Sequence, residues 1–162
     1  ITHLEFEMEP FRGGAGKFRG GFGARRRVKV YGSQLVASST ISRVEQAAPG
    51  LAGGSPSATN ILAFKSPGDE RWMTAVEKFG VVAPGMFSNA PLKTDDEVLV
   101  ITGNGAGYGN PFERDPALVL ADVQDELLSV EQAKALFGVA ISEKTLELDL
   151  AATEKLRAKG AA

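Results

Sequence analysis

Two glycine-dense strings constrain this chain more than any other feature. The first runs Gly13-Gly14-Ala15-Gly16-Lys17-Phe18-Arg19-Gly20-Gly21-Phe22-Gly23, and in the second Gly103, Gly105, Gly107 and Gly109 alternate with other residues. Such strings disfavour helix and ordinary strand, and they imply positive φ angles or backbones approaching too closely for a Cβ. A phosphate cradle is the functional reading, and each string departs from the known motifs. In the first, Phe18 stands where a P-loop needs Ser or Thr for magnesium, and Phe11 stands where its leading glycine belongs. The second follows an apolar strand as a dinucleotide fingerprint would, but its spacing differs and Pro111 blocks the crossover helix that should start there. Tight packing or a sharp chain reversal is the alternative for both.

The rest of the composition narrows the chemistry. The chain has 162 residues, 43% hydrophobic and 23% charged, with a formal net charge of −2, which suits one soluble globular domain. It has no cysteine and one histidine, His3, which excludes disulfides, thiolate nucleophiles, zinc ribbons and iron–sulfur clusters. A metal held by this chain alone would need oxygen ligands. No apolar run approaches the roughly 20 residues that span a bilayer, so a cytoplasmic protein without membrane attachment is expected. Ile1 in the first position suggests a chain that is processed or part of something longer. Residues 1–31 carry a net +4 through Arg12, Lys17, Arg19, Arg25, Arg26, Arg27 and Lys29, leaving −6 for the remainder. That cluster could meet phosphate or an acidic partner. The acidic majority, and the lack of aromatics interleaved with these arginines, argue against nucleic-acid binding.

Periodicity predicts an α+β fold, β-rich over 1–112 and helical with a short hairpin over 113–162, as one compact unit. Ile1 to Met8 alternates, placing Leu4, Phe6 and Met8 on a buried side and His3, Glu5 and Glu7 on a polar one. Strands are expected at Arg25 to Tyr31, after Ser33, at Ile61 to Phe64 and at Val98 to Ile101. Lys65 to Asp69 reads as a tight turn, and Trp72 to Val82 is open between helix and strand. Asp115 followed by Pro116 starts a helix whose apolar stripe (Leu118, Val119, Ala121 or Asp122, Val123) runs through Leu127. Ser129 with Gln132 forms a capping box for a second helix, and Gly138 ends it. A hairpin turns about Glu143 and Lys144, and Asp149 caps a last helix from about Leu150 to Lys159, with Gly160 at its end. Strands and helices do not alternate, so a doubly wound nucleotide fold is not expected.

No Ser/His/Asp, Cys/His or paired-carboxylate arrangement emerges at a usable spacing, so the residues present no self-sufficient catalytic site. The order of the unusual motifs is more informative. The first glycine string, Gly53-Gly54-Ser55-Pro56, the run from Gly105 through Tyr108, Asn110 and Pro111 to Asp115-Pro116, then Val119 to Val123, Ser129 to Ala133 and Phe137-Gly138-Val139 together resemble the C-terminal region of the hydantoinase B and oxoprolinase family. The resemblance runs from about Leu4 to Gly160. Phe11-Arg12 stands where that pattern has an Asp-Ser pair, Gly103-Asn104 interrupts its glycine run, and Asn110 replaces Asp.

The resemblance implies a component of a cytoplasmic hetero-oligomer, a hydrolase or a ligase of the carboxylase type, not catalytic alone. In such systems, which include acetone and acetophenone carboxylases, an A-type subunit phosphorylates a lactam, hydantoin or enol. The B-type subunit then hydrolyses or carboxylates the activated intermediate. The implied partners are the A-type subunit, the remainder of a B-type subunit and a small-molecule substrate. ATP and Mg are expected in a partner subunit and no cofactor in this chain, with a metal conceivable elsewhere in the complex. Arg19 and the loop around Tyr108 are the expected substrate contacts, because a phosphorylated intermediate needs a fixed cation and close backbone donors. For Arg19 the alternative is a buried pair that clamps the loop. Gly13, Gly14, Gly16, Gly20, Gly21, Gly23, Gly105, Gly107 and Gly109 are expected to be structural. A non-catalytic module whose basic segment docks on an acidic partner is the competing reading.

Overall fold

A computed structural model describes residues 1–160. Helices take up 22% and strands 28%, an α+β composition. The chain forms two compact units that interleave along the sequence. One contains Ile1–Glu9, Gly23–Ala47 and Thr59–Gly103, and the other contains Pro10–Phe22, Ala48–Ala58 and the chain from Asn104 onward.

The first unit is built on a five-stranded antiparallel sheet of β1 (Thr2–Met8), β2 (Ala24–Lys29), β4 (Ile61–Lys65), β5 (Met73–Thr74) and β7 (Glu97–Ile101), in the order β1-β2-β7-β4-β5. Val98 and Val100 of β7 lie opposite Phe64 and Leu62 of β4. Facing residues share a side of the sheet, so these four form one apolar surface. They pack with Ala37, Phe87 and Leu92 from a second pair, β3 (Leu35–Thr40) and β6 (Met86–Leu92), and with Ala75 and Phe79 of α1 (Ala75–Phe79). The open segment Trp72 to Val82 resolves into β5 followed by α1. Thr74 accepts from the Glu77 amide at 3.2 Å and Glu77 reaches back to the Thr74 amide at 2.7 Å, while Gly80 closes the helix at φ 68°. The periodicity gave no sign of β6, because Pro91 removes a donor and Asn89 sits at φ 57°.

The structure corrects the sidedness of β1. Phe6 is 74% exposed, Met8 57% and Leu4 40%, whereas Glu9 is buried and Glu5 half-buried. The acidic side is covered only in part, with Glu5 half-buried and Glu7 exposed, and it is the side on which β2 presents Arg25 and Arg27. Glu5 faces Arg27 and Glu7 faces Arg25 in the register, and Glu5 pairs with Arg25 and, at 3.9 Å, with Arg27. Alternation specifies two faces but does not say which one the neighbouring strand will cover.

The second unit has a core of Phe11, Val119, Val123, Leu128, Phe137 and Val139, with Phe11 6.0 Å from both Phe22 and Phe137 between ring centroids. Its helices are α2 (Pro116–Gln124), α3 (Val130–Phe137) and α4 (Leu150–Gly160), and a short hairpin pairs β8 (Ala140–Ile141) with β9 (Leu148–Asp149). Asp115 caps α2 through the Ala117 amide at 2.9 Å, with Pro116 in the first turn. The Ser129–Gln132 capping box starts α3, and Gly138 at φ 63° ends it. α2 is shorter than its apolar stripe suggested: it stops at Gln124, Glu126 turns at φ 58°, and Leu118 is half exposed. Among the described residues no helix is long and apolar enough to cross a membrane.

Candidate functional site: a backbone-stacked glycine platform

Within the second unit the two glycine strings meet, joined by the segment around Leu51 to Pro56. The Phe18 and Tyr108 amides and carbonyls exchange hydrogen bonds at 3.0 and 2.9 Å. Leu51 brackets the same loop, donating to the Gly107 carbonyl at 3.0 Å and accepting from the Gly109 amide at 2.9 Å. Ser55 donates to Ala15 at 2.7 Å and accepts from Gly107 at 2.9 Å, and Gly14 donates to Pro56 at 2.7 Å. Strands of backbone thus lie against one another with almost no side chain between them. The spacing demands glycine: a Cβ at Gly107 would lie 2.0 Å from the Ala15 carbonyl oxygen, and one at Gly20 1.9 Å from the Gly105 oxygen. Gly21 differs, since nothing lies within 4 Å of where its Cβ would be. Gly23 belongs to the other unit, against the Thr102 carbonyl.

Buried polar side chains fasten this platform. Asn104, 5% exposed, donates to the Gly13 carbonyl and accepts from the Ala58 amide at 2.9 Å. Arg19 places Nε and Nη2 on the two carboxylate oxygens of Asp122 at 2.9 and 2.8 Å, donates from Nη1 to the Gly20 carbonyl at 3.1 Å, and stacks 4.3 Å over the Phe22 ring. Arg114 donates to the same Asp122 at 3.1 Å, and its own carbonyl accepts from Arg157 at 2.6 Å. Burial lowers the pKa of Arg157, and the nearby Asp115 carboxylate partly offsets this. Two guanidinium groups on one buried carboxylate form a bidentate clamp that ties the Lys17–Gly20 turn to α2.

Arg19 is therefore engaged with protein groups, and so are the donors of the Tyr108 loop. Gly105, Gly107, Tyr108 and Gly109 give their amides to Gly21, Ser55, Phe18 and Leu51. What the loop offers outward is side chain: Tyr108 is 54% exposed, beside Phe18 and Leu51, each 62% exposed, with the two aromatic rings 6.3 Å apart. Lys17, at the rim, pairs with Glu113 at 3.3 Å. A pocket of about 330 Å³ lies beside the platform, bounded in part by Phe11, Gly13, Ala15, Ser55 and Gln132. Among the described residues no group of three or more His, Asp or Glu side chains is arranged to hold a metal.

Asp122, Arg114 and Asn104 are the contributors that sequence reasoning did not single out. Two of them left a signal: Asp122 is a carboxylate within the apolar stripe of α2, and Asn104 is a polar residue interrupting a glycine run.

Comparison with known proteins agrees with this architecture. The sequence profile of the hydantoinase B/oxoprolinase family matches residues 1–111. An uncharacterized protein of Methanocaldococcus jannaschii is 33% identical over 160 residues, which is 97% of this chain and 26% of that protein. The caprolactamase subunit beta of Pseudomonas jessenii is 31% identical over 148 residues, 90% of this chain and 24% of that subunit. The nucleotide-free structure of an ATP-dependent acetone carboxylase superposes with a TM-score of 0.68 over 99% of this chain and 24% of that one, at 20% identity, and so shares the fold. The chain spans about a quarter of the length of these relatives. It belongs to the hydantoinase B/oxoprolinase family.

Proposed function

We propose that the chain works as the C-terminal segment or a small subunit of a B-type component in a heteromeric ATP-dependent amidohydrolase or carboxylase, and that its glycine platform forms one wall of the site receiving the activated substrate. The observation that carries this reading is the likeness to a caprolactamase subunit beta across 90% of the chain. That likeness favours a cyclic amide as substrate over a ketone. ATP and Mg belong, on this reading, to an A-type partner, as the family resemblance implies.

The geometry divides the labour between the two expected contacts. Tyr108 presents an exposed ring and hydroxyl on a loop whose backbone is fixed on both sides. Arg19 positions that loop through Phe18 and touches substrate only if Asp122 releases it. In the assembled enzyme, Arg19→Ala and Tyr108→Ala should each reduce substrate-stimulated ATP turnover while the subunits still co-purify, and Tyr108→Phe should separate a hydroxyl contact from a packing one. Unchanged turnover in both alanine variants would remove the platform from the active site.

The competing docking-module reading loses its main support in the structure. Arg25 pairs with Glu5, Arg27 lies 3.6 Å from Glu97, and Lys29 lies 3.6 Å from Asp95, so much of the basic segment is neutralised internally.

A further inference from the structure

Phe18, Leu51 and Tyr108 form an outward-facing row within the second unit. Tyr108 bridges Phe18 in the antiparallel sense and Leu51 in the parallel sense, and residues opposite one another across a bridge share a side of the backbone, so the three side chains stand on one face. Each is more than half exposed, although the backbone beneath is pinned by the Phe18–Tyr108 exchange and by the bonds of Leu51 to Gly107 and Gly109. Apolar side chains displayed on a fixed backbone mark a binding surface, because a contact made there costs little ordering. The polar groups around the row are already engaged. The loop's amides donate within the platform, the Arg19 fork is closed on Asp122, and Lys17 pairs with Glu113.

We infer that this row is a specificity shelf: it receives the hydrocarbon part of a cyclic amide, while the phosphorylated end of the activated intermediate is held by groups outside this chain. This rests on the platform's proposed place in the active site. An anion calls for free cations or free backbone donors, and the loop's amides, Arg19 and Lys17 are each committed elsewhere. Methylene groups call only for apolar area, which Phe18, Leu51 and Tyr108 supply side by side. The scale of the row suits a ring. Three side chains bordered by the exposed Lys17–Glu113 pair fall well short of the roughly 20–30 residues a side of a stable protein interface. Phe18 and Leu51 therefore join Tyr108 as specificity-determining residues, which respond to the size and apolar area of the ring.

The test uses the complete assembly carrying Phe18→Ala, Leu51→Ala or the conservative Leu51→Met, and reads ATP turnover stimulated by caprolactam or by the smaller-ringed 2-pyrrolidinone. All three substitutions keep the backbone bonds of the platform. Each methylene withdrawn from water contributes about fourfold in affinity, so both alanine variants should raise KM for caprolactam about tenfold and lower the kcat/KM ratio of caprolactam to 2-pyrrolidinone by at least about fourfold. Leu51→Met should keep both quantities within about twofold of the parent, because it retains the apolar volume. A merely structural role would reduce the amount of active enzyme, lowering kcat with both lactams alike and leaving KM and the ratio in place. That result would overturn the inference. Alanine variants that no longer co-purify with the other subunits would also overturn it, since the row would then be covered by protein. A parent assembly stimulated by hydantoin or acetone and by neither lactam would overturn the shelf and leave the B-type role standing. No stimulation by any of these substrates would refute the proposed activity itself, and the shelf with it.

Discussion

Replacing Asp122 by Ala removes the carboxylate on which two arginines converge. Its oxygens accept from Arg19 at 2.9 and 2.8 Å and from Arg114 at 3.1 Å. The Arg114 side chain is 9% exposed and that of Arg19 21%, so neither guanidinium regains full hydration when its partner is lost. Removing one member of a buried charge cluster typically costs about 3–5 kcal/mol, much of it the penalty of leaving the other charge unpaired. Against a total stability of roughly 5–15 kcal/mol, that is a large fraction. With a urea slope of about 2 kcal/mol per molar, the unfolding midpoint should fall by about 2 M. Hydrogen exchange should locate the loss, with the Phe18 and Tyr108 amides, which bond across the two strings, opening first. A triple variant carrying Asp122→Leu, Arg19→Met and Arg114→Met should recover most of the midpoint, because apolar replacement of a whole buried cluster removes the desolvation problem along with the attraction. A midpoint shift below about 0.3 M for Asp122→Ala, or no recovery in the triple variant, would refute the clamp.

Other consequences follow from the geometry. Gly107→Ala forces its Cβ against the Ala15 carbonyl and should cost at least about 1–3 kcal/mol, while Gly21→Ala, with open space at its Cβ, should stay within about 0.5 kcal/mol; thermal melts of the two variants check the contrast. Glu77 is held down to about 2 by hydrogen bonds first from Arg71 and then from Thr74. Its contribution is therefore present above the ordinary value of 4.5 and is lost as pH falls through about 2, so carboxyl NMR should show it still ionised at pH 3, and titration near 4.5 would contradict the capping box. Thr74→Ala removes the acceptor for the Glu77 amide and should cost about 0.5–2 kcal/mol, read from the same melts.

The parts of the fold that were legible in the sequence are those set by local chemistry. Asp115-Pro116, Ser129 with Gln132, and Gly138 mark helix ends because capping involves residues two to four apart, and Val98 to Ile101 reads as a strand because β-branched runs favour one. The glycine strings announced close backbone approach, though not what approaches. Features set by distant partners stayed hidden. Asp122 lies 103 positions from Arg19, so the chain order cannot show that the cation sought for substrate is held by a carboxylate. The exposure of Phe6 and Met8 depends on what packs over each side of β1, a fact of distant packing rather than of alternation. β6 was invisible because Pro91 and Asn89 violate strand preferences that pairing with β3 overrides.

We propose that this chain serves an ATP-dependent B-type enzyme and turns over ATP only within the assembly. The most direct measurement is ATP hydrolysis by the purified chain, by the chain joined with the remainder of its B-type component and an A-type subunit, and by the same assembly lacking the chain, each with caprolactam, hydantoin or acetone. Substrate-stimulated turnover is expected in the complete assembly only, strongest with a cyclic amide, with native mass spectrometry showing the chain in the active species. Equal turnover without the chain, or turnover by the chain alone, would contradict it.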